Sequence, residues 1–298
     1  MIETIDLHFL GHPQTIAAFL IRTSEGPVLV ETGPHATLAA LEKGINQAGY
    51  ALDDVRHVFL SHIHLDHGGA AWVFAEKGAT IYLHPLGAPH FQQPEKLLAS
   101  ARLIYKDKMD QLWGQLKPIP EARLRIVEHN DRIKIGNLRL KALHTPGHAI
   151  HHIAWALDGA LFTGDVAGVR IGKAGVVMPP CPPPDIQVEA WQASISLIRS
   201  KRFESLYLTH FGKVEDVKQH LTELEGRLLN WANWIKPFWE KGADPQTVTP
   251  LFQAYVAGQL AAGGISGEGL EQYESANPSW MSVAGLMRYW KKKASDNG

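Results

Sequence analysis

Short apolar runs separated by turn signals open the chain and indicate a region rich in β-strands. Two such runs, at 15–22 and 27–31, flank a Ser-Glu-Gly sequence that is typical of a hairpin turn. Residues 36–49 instead carry aliphatic side chains at helical spacing and end near a glycine. Strand, helix and strand patterns then follow one another through 58–85. This alternation predicts a layered α/β domain.

The middle of the chain adds a helical insert and a second group of strands. Residues 87–118 place aliphatic side chains among polar ones, which predicts the insert. The alternation of apolar and polar residues over 123–129 and 138–143 is typical of half-buried antiparallel strands. A helix over 188–199 and an apolar strand over 205–210 complete this part of the chain.

The last part of the chain is helical in pattern and rich in aromatic residues. A long amphipathic helix is expected to be stopped or kinked near Pro237, and two more helices follow over 245–262 and 278–293. Five of the nine tryptophans lie here, where they either cover the α/β body or also line a pocket. We therefore predict a main α/β domain over 1–215 and a C-terminal helical extension, packed on it, over 216–298.

Composition narrows the classes of partner. The 298 residues are 45% hydrophobic and carry a net charge of −1, which gives no reason to expect nucleic acid or an anionic membrane as partner. The N-terminus lacks the basic start and long apolar run of a signal peptide, and no apolar run reaches the roughly 18 residues of a membrane span. The single cysteine, Cys181, excludes an internal disulfide. We expect a cytoplasmic protein without nucleic-acid or membrane partners.

Histidine is unusually frequent, with 16 copies, and the histidines are not evenly distributed along the chain. His62, His64, Asp66 and His67 fall within six residues, directly after an apolar strand. A loop at the end of a strand can turn all four side chains inward, whereas neighbours along a straight strand alternate faces. Imidazole nitrogens and carboxylate oxygens suit a borderline metal such as Zn²⁺. These four side chains alone could complete a mononuclear site.

Three later segments each end an apolar strand with one further potential ligand. They supply His148 in LHTPGHA, Asp165 in LFTGD and His210 in LYLTH. Each of these segments is a weak signal alone. Together with the hexapeptide they give a set of His and Asp side chains large enough for more than one ion.

The set HxHxDH, TPGH, TGD and a late histidine resembles the metallo-β-lactamase superfamily over about residues 5–215, and it is most similar to the glyoxalase II-like hydrolase branch. The resemblance implies a four-layer αβ/βα sandwich, of the α/β class or α+β by some schemes, with metals at one edge between the sheets. It also implies two divalent ions, expected to be Zn²⁺ with Fe²⁺ or Mn²⁺ as alternatives. Carried onto this sequence, the family pattern gives His62, His64 and His148 to the first ion, Asp66, His67 and His210 to the second, and Asp165 to both.

The resemblance implies a hydrolase that acts on a small-molecule ester, lactone or thioester by attack of a metal-bound hydroxide. Asp66 and Asp165 are the expected catalytic carboxylates, with Asp66 orienting the hydroxide. Gly168 stands where acyl-homoserine lactonases carry a tyrosine, which argues against that activity. His64 argues against the flavin-linked di-iron reductases of the superfamily, which have glutamate there. The aromatic tail does not reproduce the basic residues that bind glutathione in glyoxalase II.

Three alternatives stay open at this point. A persulfide dioxygenase of the same fold is an oxidoreductase with one Fe²⁺ and normally dispenses with the second site. A phosphodiesterase of the same fold would hydrolyse a different class of bond. A non-catalytic binding protein would have no need of all seven ligands. Separately, an exposed aromatic surface on the tail would favour a homodimer.

Other residues near these motifs have weaker assignments. His144, His151 and His152 are expected to pack or lie at the surface, although one of the last two could support the site by a hydrogen bond. Glu31 stands where the family usually has an aspartate that supports the site, and it is longer by one methylene. His12 lies in a loop that could reach the pocket, and we assign it no role.

Overall fold

Two six-stranded sheets lie face to face in the computed structural model, which describes residues 1–172 and 175–296. The strands of the first sheet, in order across it, are β1 (Ile2–Asp6), β2 (Ala17–Thr23), β3 (Gly26–Val30), β4 (His57–Phe59), β5 (Thr80–Leu83) and β6 (Leu124–Ile126). The second sheet likewise follows chain order, and its strands are β7 (Arg132–Ile135), β8 (Leu138–His144), β9 (Ile153–Leu157), β10 (Ala160–Val169), β11 (Ser205–His210) and β12 (Gly212–Val214).

Both sheets are mixed. In the first, β1, β2 and β3 pair antiparallel, and the neighbours from β3 to β6 pair parallel. In the second, β10 and β11 are parallel neighbours and the other described pairs are antiparallel. The predicted hairpin is formed by β2 and β3, with Thr23 paired with Gly26 across the turn.

Alternate residues of β2 show that the first sheet is buried on both faces. Phe19 and Ile21 face the second sheet, whereas Ala18 and Leu20 belong to the core on the outer, helical side. Across the gap, the ring of Phe19 meets that of Phe162 at 5.3 Å between centroids. Burial of both faces explains why this strand reads as a continuous apolar run.

Helices cover the outer faces of both sheets. They are α1 (Leu38–Gln47), α2 (Leu65–Gly68), α3 (Ala71–Glu76), α4 (Ala88–Gln92), α5 (Glu95–Tyr105), α6 (Met109–Leu112), α7 (Val188–Lys201), α8 (Val217–Glu240), α9 (Pro245–Ala262), α10 (Glu268–Ala276) and α11 (Ser279–Asp296). Leu41 of α1 and Phe74 of α3 pack on the first sheet, while Trp191 of α7 and Leu224 of α8 pack on the second. The order helix–sheet–sheet–helix confirms the predicted αβ/βα sandwich.

The strand predicted over 123–129 was expected to be antiparallel, and this prediction was wrong. Within that segment β6 forms the edge of the first sheet and pairs parallel to β5, with Ile81 opposite Leu124. Alternation of apolar and polar residues indicates that one face of a strand is exposed, as at a sheet edge. It does not indicate whether the neighbouring strand is parallel or antiparallel. The direction follows from the crossover through the helical insert, which returns the chain to the same end of the sheet.

The C-terminal helices match the sequence pattern in part. The predictions over 245–262 and 278–293 correspond to α9 and α11, whereas α10 was not predicted. The helix was expected to be stopped or kinked near Pro237; α8 continues through this residue and ends three residues later, at Glu240, and a kink there stays a prediction. The division at residue 215 stays a prediction. Among the described residues, no helix is both long and apolar enough to cross a membrane.

Candidate metal centre

Loops at the ends of the central strands bring seven side chains together at one edge of the sandwich. The segment after β4 supplies four of them from the first sheet, and the second sheet supplies the other three. The first group offers ligand atoms that all lie within 4.8 Å of one another and consists of His62, His64, His148 and Asp165. The second group meets the same limit and consists of Asp66, His67 and His210. The structure therefore brings together all seven side chains that the sequence analysis named as metal ligands.

The carboxylate of Asp165 lies between the two groups and faces each with a different oxygen. Its Oδ2 is 3.2 Å from Nε2 of His148, in the first group. Its Oδ1 is 3.2 Å from Nε2 of His67 and 3.4 Å from Nε2 of His210, in the second group. With its two oxygens divided in this way, a single buried carboxylate can serve two cations at once.

Asp165 reaches this position because β10 is irregular around Gly164. The register between β10 and β11 shifts on either side of this glycine, whose φ is +48°. A Cβ built there would lie 2.5 Å from the side chain of Ser61 and 2.6 Å from Nε2 of His152. The residue must therefore be glycine both for its left-handed conformation and for the close approach of its neighbours.

Backbone carbonyls fix the protonation of two histidine rings. Nδ1 of His148 is 2.9 Å from the carbonyl oxygen of Pro180, and Nδ1 of His210 is 2.6 Å from that of Thr15. A carbonyl can only accept, so each Nδ1 carries the hydrogen and donates it. The Nε2 atom of each ring is left with its lone pair directed at the centre, which is the tautomer that binds a metal.

The first group is left with more lone pairs than hydrogens. Nδ1 of His64 is 2.8 Å from Nε2 of His62 and 3.0 Å from Nε2 of His148, and the last of these nitrogens carries no hydrogen. One hydrogen on Nδ1 of His64 can satisfy one of its two neighbours but not both. Burial, together with the neighbouring histidines, lowers the pKa of His62 well below its usual value and that of His64 to about 3. These rings are therefore neutral, as metal ligands must be.

In the second group, the pKa of a histidine is shifted upward rather than downward. Burial acts to lower the pKa of His67, but the carboxylates of Asp165, Asp66 and Glu31 outweigh it and raise that pKa well above its usual value. His67 Nε2 and Asp165 Oδ1 are close, yet neither forms a well-directed hydrogen bond within the described part of the chain. Burying polar atoms without hydrogen-bond partners costs folding free energy, and the negative charges of the clustered carboxylates repel one another unless a positive charge lies between them. Divalent cations would bind the unpartnered atoms and neutralise the carboxylates, so the residues present fit a two-metal site.

Glu31 supports the second group despite its extra methylene. Its Oε1 accepts a hydrogen bond from the N–H of Ser61 at 3.0 Å, and its Oε2 lies 3.3 Å from Nδ1 of His67. The residue is 1% exposed and its φ is +64°. The glutamate therefore reaches His67 despite its length, through an ion-pair contact, since Oε2 has no hydrogen-bond partner within the described ranges.

His152 is the second support, and sequence reasoning did not favour it over its neighbour. Its Nε2 accepts a hydrogen bond from the backbone N–H of Asp165 at 3.1 Å. The hydrogen of the ring is therefore on Nδ1, which donates to Oγ1 of Thr145 at 2.8 Å. His151 is buried, and its Nε2 lies 4.0 Å from Oδ2 of Asp185. Its Nδ1 has no hydrogen-bond partner within the described ranges.

The remaining candidates lie outside the two ligand groups. His144 stacks on His84 at 4.3 Å between ring centroids and is bonded to the carbonyl of Ile150 at 2.9 Å. Cys181 is fully buried, and burial raises the pKa of its thiol, which disfavours the reactive thiolate. His12 lines the cavity described next.

A cavity of about 920 Å³ opens onto five of the seven side chains, namely His64, Asp66, His148, Asp165 and His210. Its walls come from the N-terminal loop around Phe9, the helical insert around Tyr105, the proline-rich loop around Pro182 and the start of α11 around Trp280. Asp66 is the carboxylate of the centre with the larger exposure, 22% against 4% for Asp165. A substrate in this cavity would therefore meet Asp66 first.

Comparison with known proteins agrees with this geometry. The family model described as the metallo-beta-lactamase superfamily matches residues 13–210. A solved metallo-beta-lactamase family protein from Thermus thermophilus superposes with a TM-score of 0.70 at 19% identity, over 98% of this chain and 94% of its own. That likeness establishes the fold.

Relatives in sequence cover shorter stretches. A metallo-beta-lactamase fold-containing protein from Sulfurisphaera tokodaii is 32% identical over 136 residues, 44% of this chain and 51% of its own. A hydroxyacylglutathione hydrolase from a Bradyrhizobium species is 30% identical over 141 residues, 45% of this chain and 43% of its own. An atrochrysone carboxyl ACP thioesterase from Aspergillus fumigatus is 23% identical over 205 residues, 68% of this chain and 39% of its own. The chain thus spans about half the length, or less, of these curated relatives.

Proposed function

The chain belongs to the metallo-beta-lactamase superfamily, and on that premise we propose that it is a binuclear metal-dependent hydrolase of a small ester, lactone or thioester. The observation that carries the proposal is the divided carboxylate of Asp165, with one oxygen facing each group of donors. A mononuclear enzyme would have no use for the second group.

The proposed ligands follow the two groups. His62, His64 and His148 would hold one cation, Asp66, His67 and His210 would hold the other, and Asp165 would contact both. Mixed imidazole and carboxylate donors suit Zn²⁺, and they also accept Fe²⁺ or Mn²⁺. We propose Zn²⁺ as the first choice because every donor is nitrogen or oxygen and the first group is rich in histidine.

Divalent ions at such a site lower the pKa of water from 15.7 to about 7 and polarise the oxygen of a carbonyl group. The protein supplies orientation and proton transfer. Burial acts to raise the pKa of Asp66, but His67 and His210 outweigh it and lower the pKa to about 2, so the carboxylate is ionised at neutral pH. From the cavity wall it would take a proton from the attacking water and later pass that proton to the leaving group.

The names of two relatives favour thioesters among the three bond types. One is a hydroxyacylglutathione hydrolase and another is an ACP thioesterase. The persulfide dioxygenase alternative is disfavoured because the second ligand group is complete. The phosphodiesterase alternative would use the same residues, so phosphodiesters belong in the substrate screen.

The test combines elemental analysis with a substrate screen. Protein loaded with Zn²⁺, Mn²⁺ or Fe²⁺ is expected to hold two ions per chain and to hydrolyse members of an ester, lactone and thioester panel. Asp165→Ala is expected to lose both ions and activity by a factor on the order of 100 or more. Asp53→Ala, which removes an exposed carboxylate paired with Lys77, is the matched control and is expected to change neither.

Three results would overturn the proposal. Metal-loaded protein that is inactive on all three bond types and on phosphodiesters would remove the hydrolase assignment, and activity confined to phosphodiesters would replace the bond class. One iron per chain together with oxygen uptake would point instead to the dioxygenase.

A further inference from the structure

Apolar side chains of the ligand loop, the helical insert and α11 line much of the cavity beside the metal centre. Leu65, which lies between two proposed ligands, packs on Ala101 and Met109 of the helical insert. Tyr105 and Trp113 pack against the same cluster. The residue that begins α2 in the ligand loop is therefore part of the same apolar surface as the insert.

Aromatic contacts hold this surface together across distant parts of the chain. The ring of Tyr105 meets Trp113 edge-on at 5.0 Å and Trp280 edge-on at 6.0 Å. Its hydroxyl donates a weak hydrogen bond to Sδ of Met281 at 3.5 Å. Phe9 stacks on Trp113 at 5.6 Å. The N-terminal loop, the insert and α11 thus form one wall opposite the proposed metal ligands.

The charges on the cavity wall do not favour a polar substrate portion. Away from the metal centre, Lys106, Asp107 and Lys108 lie on an exposed turn and carry both signs. On the other side, Glu274 is engaged by the backbone N–H and the hydroxyl of Ser279, at 2.9 and 2.8 Å. No buried lysine or arginine lines the cavity in the part of the chain that the structure describes. A charged acyl group would lose hydration beside the apolar wall, and Lys106 and Lys108, the lysines that line the cavity, are exposed and therefore offer it only a partner screened by solvent.

The size of the cavity also favours a large apolar substrate portion. Its volume of about 920 Å³ is near the upper end of the roughly 300–1,000 Å³ that is usual for small-molecule sites. A two-carbon acyl group would leave most of the apolar wall in contact with water. Filling it removes that surface from water, which is worth up to about a factor of four in affinity per methylene group.

From these observations we propose that the substrate carries a bulky apolar acyl group, on the order of eight or more carbon atoms. This inference rests on the proposed function, because the bond to be cleaved must lie at the seven ligand residues. The apolar portion extends along α5 towards Ile104 and Trp280, which are 38% and 37% exposed at the mouth of the cavity.

A chain-length series tests the inference. The kcat/KM of metal-loaded protein is measured on 4-nitrophenyl acetate, butyrate, octanoate and decanoate and on the matching N-acetylcysteamine thioesters. We expect kcat/KM to rise by a factor on the order of 100 from acetyl to octanoyl. A flat or falling series, with the acetyl compounds hydrolysed, would overturn this inference and leave the proposed hydrolase intact.

Two neighbouring substitutions on α5 locate the effect. Ile104→Asp places a charge in the cavity and is expected to lower kcat/KM for octanoyl substrates about tenfold while changing acetyl substrates less than about twofold. Leu103→Asp is the matched control, because Leu103 is 81% exposed and does not line the cavity. It is expected to leave the whole series unchanged. Equal effects of the two substitutions would overturn the assignment of this wall.

Binding provides a readout that does not require turnover. Calorimetry is expected to show decanoate binding to the metal-loaded protein at least about tenfold more tightly than acetate, with Ile104→Asp and not Leu103→Asp abolishing the difference. If no ester or thioester is hydrolysed, the proposed function fails, and the binding measurement alone then tests whether the cavity prefers an apolar ligand. Equal affinities for decanoate and acetate would then reject the apolar occupant.

Discussion

The backbone N–H of Asp165 donates a hydrogen bond to Nε2 of His152 at 3.1 Å. Because His152 in turn donates from Nδ1 to Thr145, the ring is fixed at both nitrogens and holds the backbone of the residue that faces both groups of donors. His152 is fully buried and is not itself a member of either ligand group. It acts on the centre by positioning Asp165.

His152→Ala is therefore expected to weaken metal binding without removing a ligand. Loss of a hydrogen bond that orients a ligand typically costs about 10- to 100-fold in metal affinity. Competition with a chromogenic chelator measures the affinity. His8→Ala, at a position whose side chain is 59% exposed, is the control and is expected to leave affinity unchanged. Unaltered affinity in His152→Ala would show that Asp165 is held by other contacts.

Gly164→Ala is expected to destabilise the fold and to empty the metal site. The new Cβ would lie 2.5 Å from Ser61 and would impose a left-handed conformation on alanine. Gly49→Ala imposes a similar conformation, with a φ of +88°, but its Cβ would meet nothing within 4 Å. We expect the control to lose about 1 kcal/mol of unfolding free energy and Gly164→Ala to lose about 2–4 kcal/mol. Equal losses in urea unfolding would contradict the steric part of this argument.

Glu31→Gln is expected to lower the metal content from two ions per chain towards one. The substitution removes the negative charge 3.3 Å from Nδ1 of His67, so the second ligand group loses its support while the first is untouched. Elemental analysis after dialysis against a weak chelator measures the ratio. Glu25→Gln, an exposed residue in the β2–β3 turn, serves as control. Retention of two ions in Glu31→Gln would show that this carboxylate is dispensable.

Stability is expected to fall as the pH drops from about 6.5 towards 4, and His220 should account for part of the loss. Burial lowers the pKa of His220 to about 4, and its ring is bonded to the carbonyl of Ala167 at 2.7 Å with Nδ1 3.4 Å from Arg170. A histidine whose pKa is lowered by folding takes up its proton first in the unfolded state. Its contribution is therefore complete above the unfolded pKa and is lost as the pH falls below it.

The matching variant isolates this contribution. The free energy of unfolding of His220→Gln, measured in urea between about pH 4 and 7, should depend less steeply on pH than that of the wild type. The difference is on the order of 2–3 kcal/mol across the range. Identical pH profiles for the two proteins would assign the acid sensitivity to other groups.

The ligand residues were accessible from sequence because the chemistry restricts them to a few residue types. The hexapeptide from His62 to His67 is dense in donors, and three later strand ends each offered one more. The supporting contacts were less accessible. The carbonyl groups of Pro180 and Thr15 orient two rings, but every residue has a carbonyl and no side-chain pattern marks these two.

The parts of the fold that were predicted wrongly or missed have similar physical causes. The exposed face of β6 was visible as alternation, but its direction depends on β5, a partner strand far earlier in the chain. α10 carries few apolar positions and is held by tertiary contacts, among them Tyr273, whose hydroxyl donates to the carbonyl of Val176 at 2.6 Å and accepts from the N–H of Ile171 at 2.9 Å. His151 and His152 could not be told apart by pattern, because only the turn before β9 decides which ring faces Asp165.

The division of the seven donors between the two sheets has a consequence for the molecule as a whole. Ions bound there would act as a cross-link between the halves of the sandwich, joined otherwise by packing such as that of Phe19 on Phe162. Because such a cross-link exists only in the folded chain, the midpoint of thermal unfolding would rise with the concentration of free metal. Heat tolerance would then vary with the metal supply, with no change in sequence.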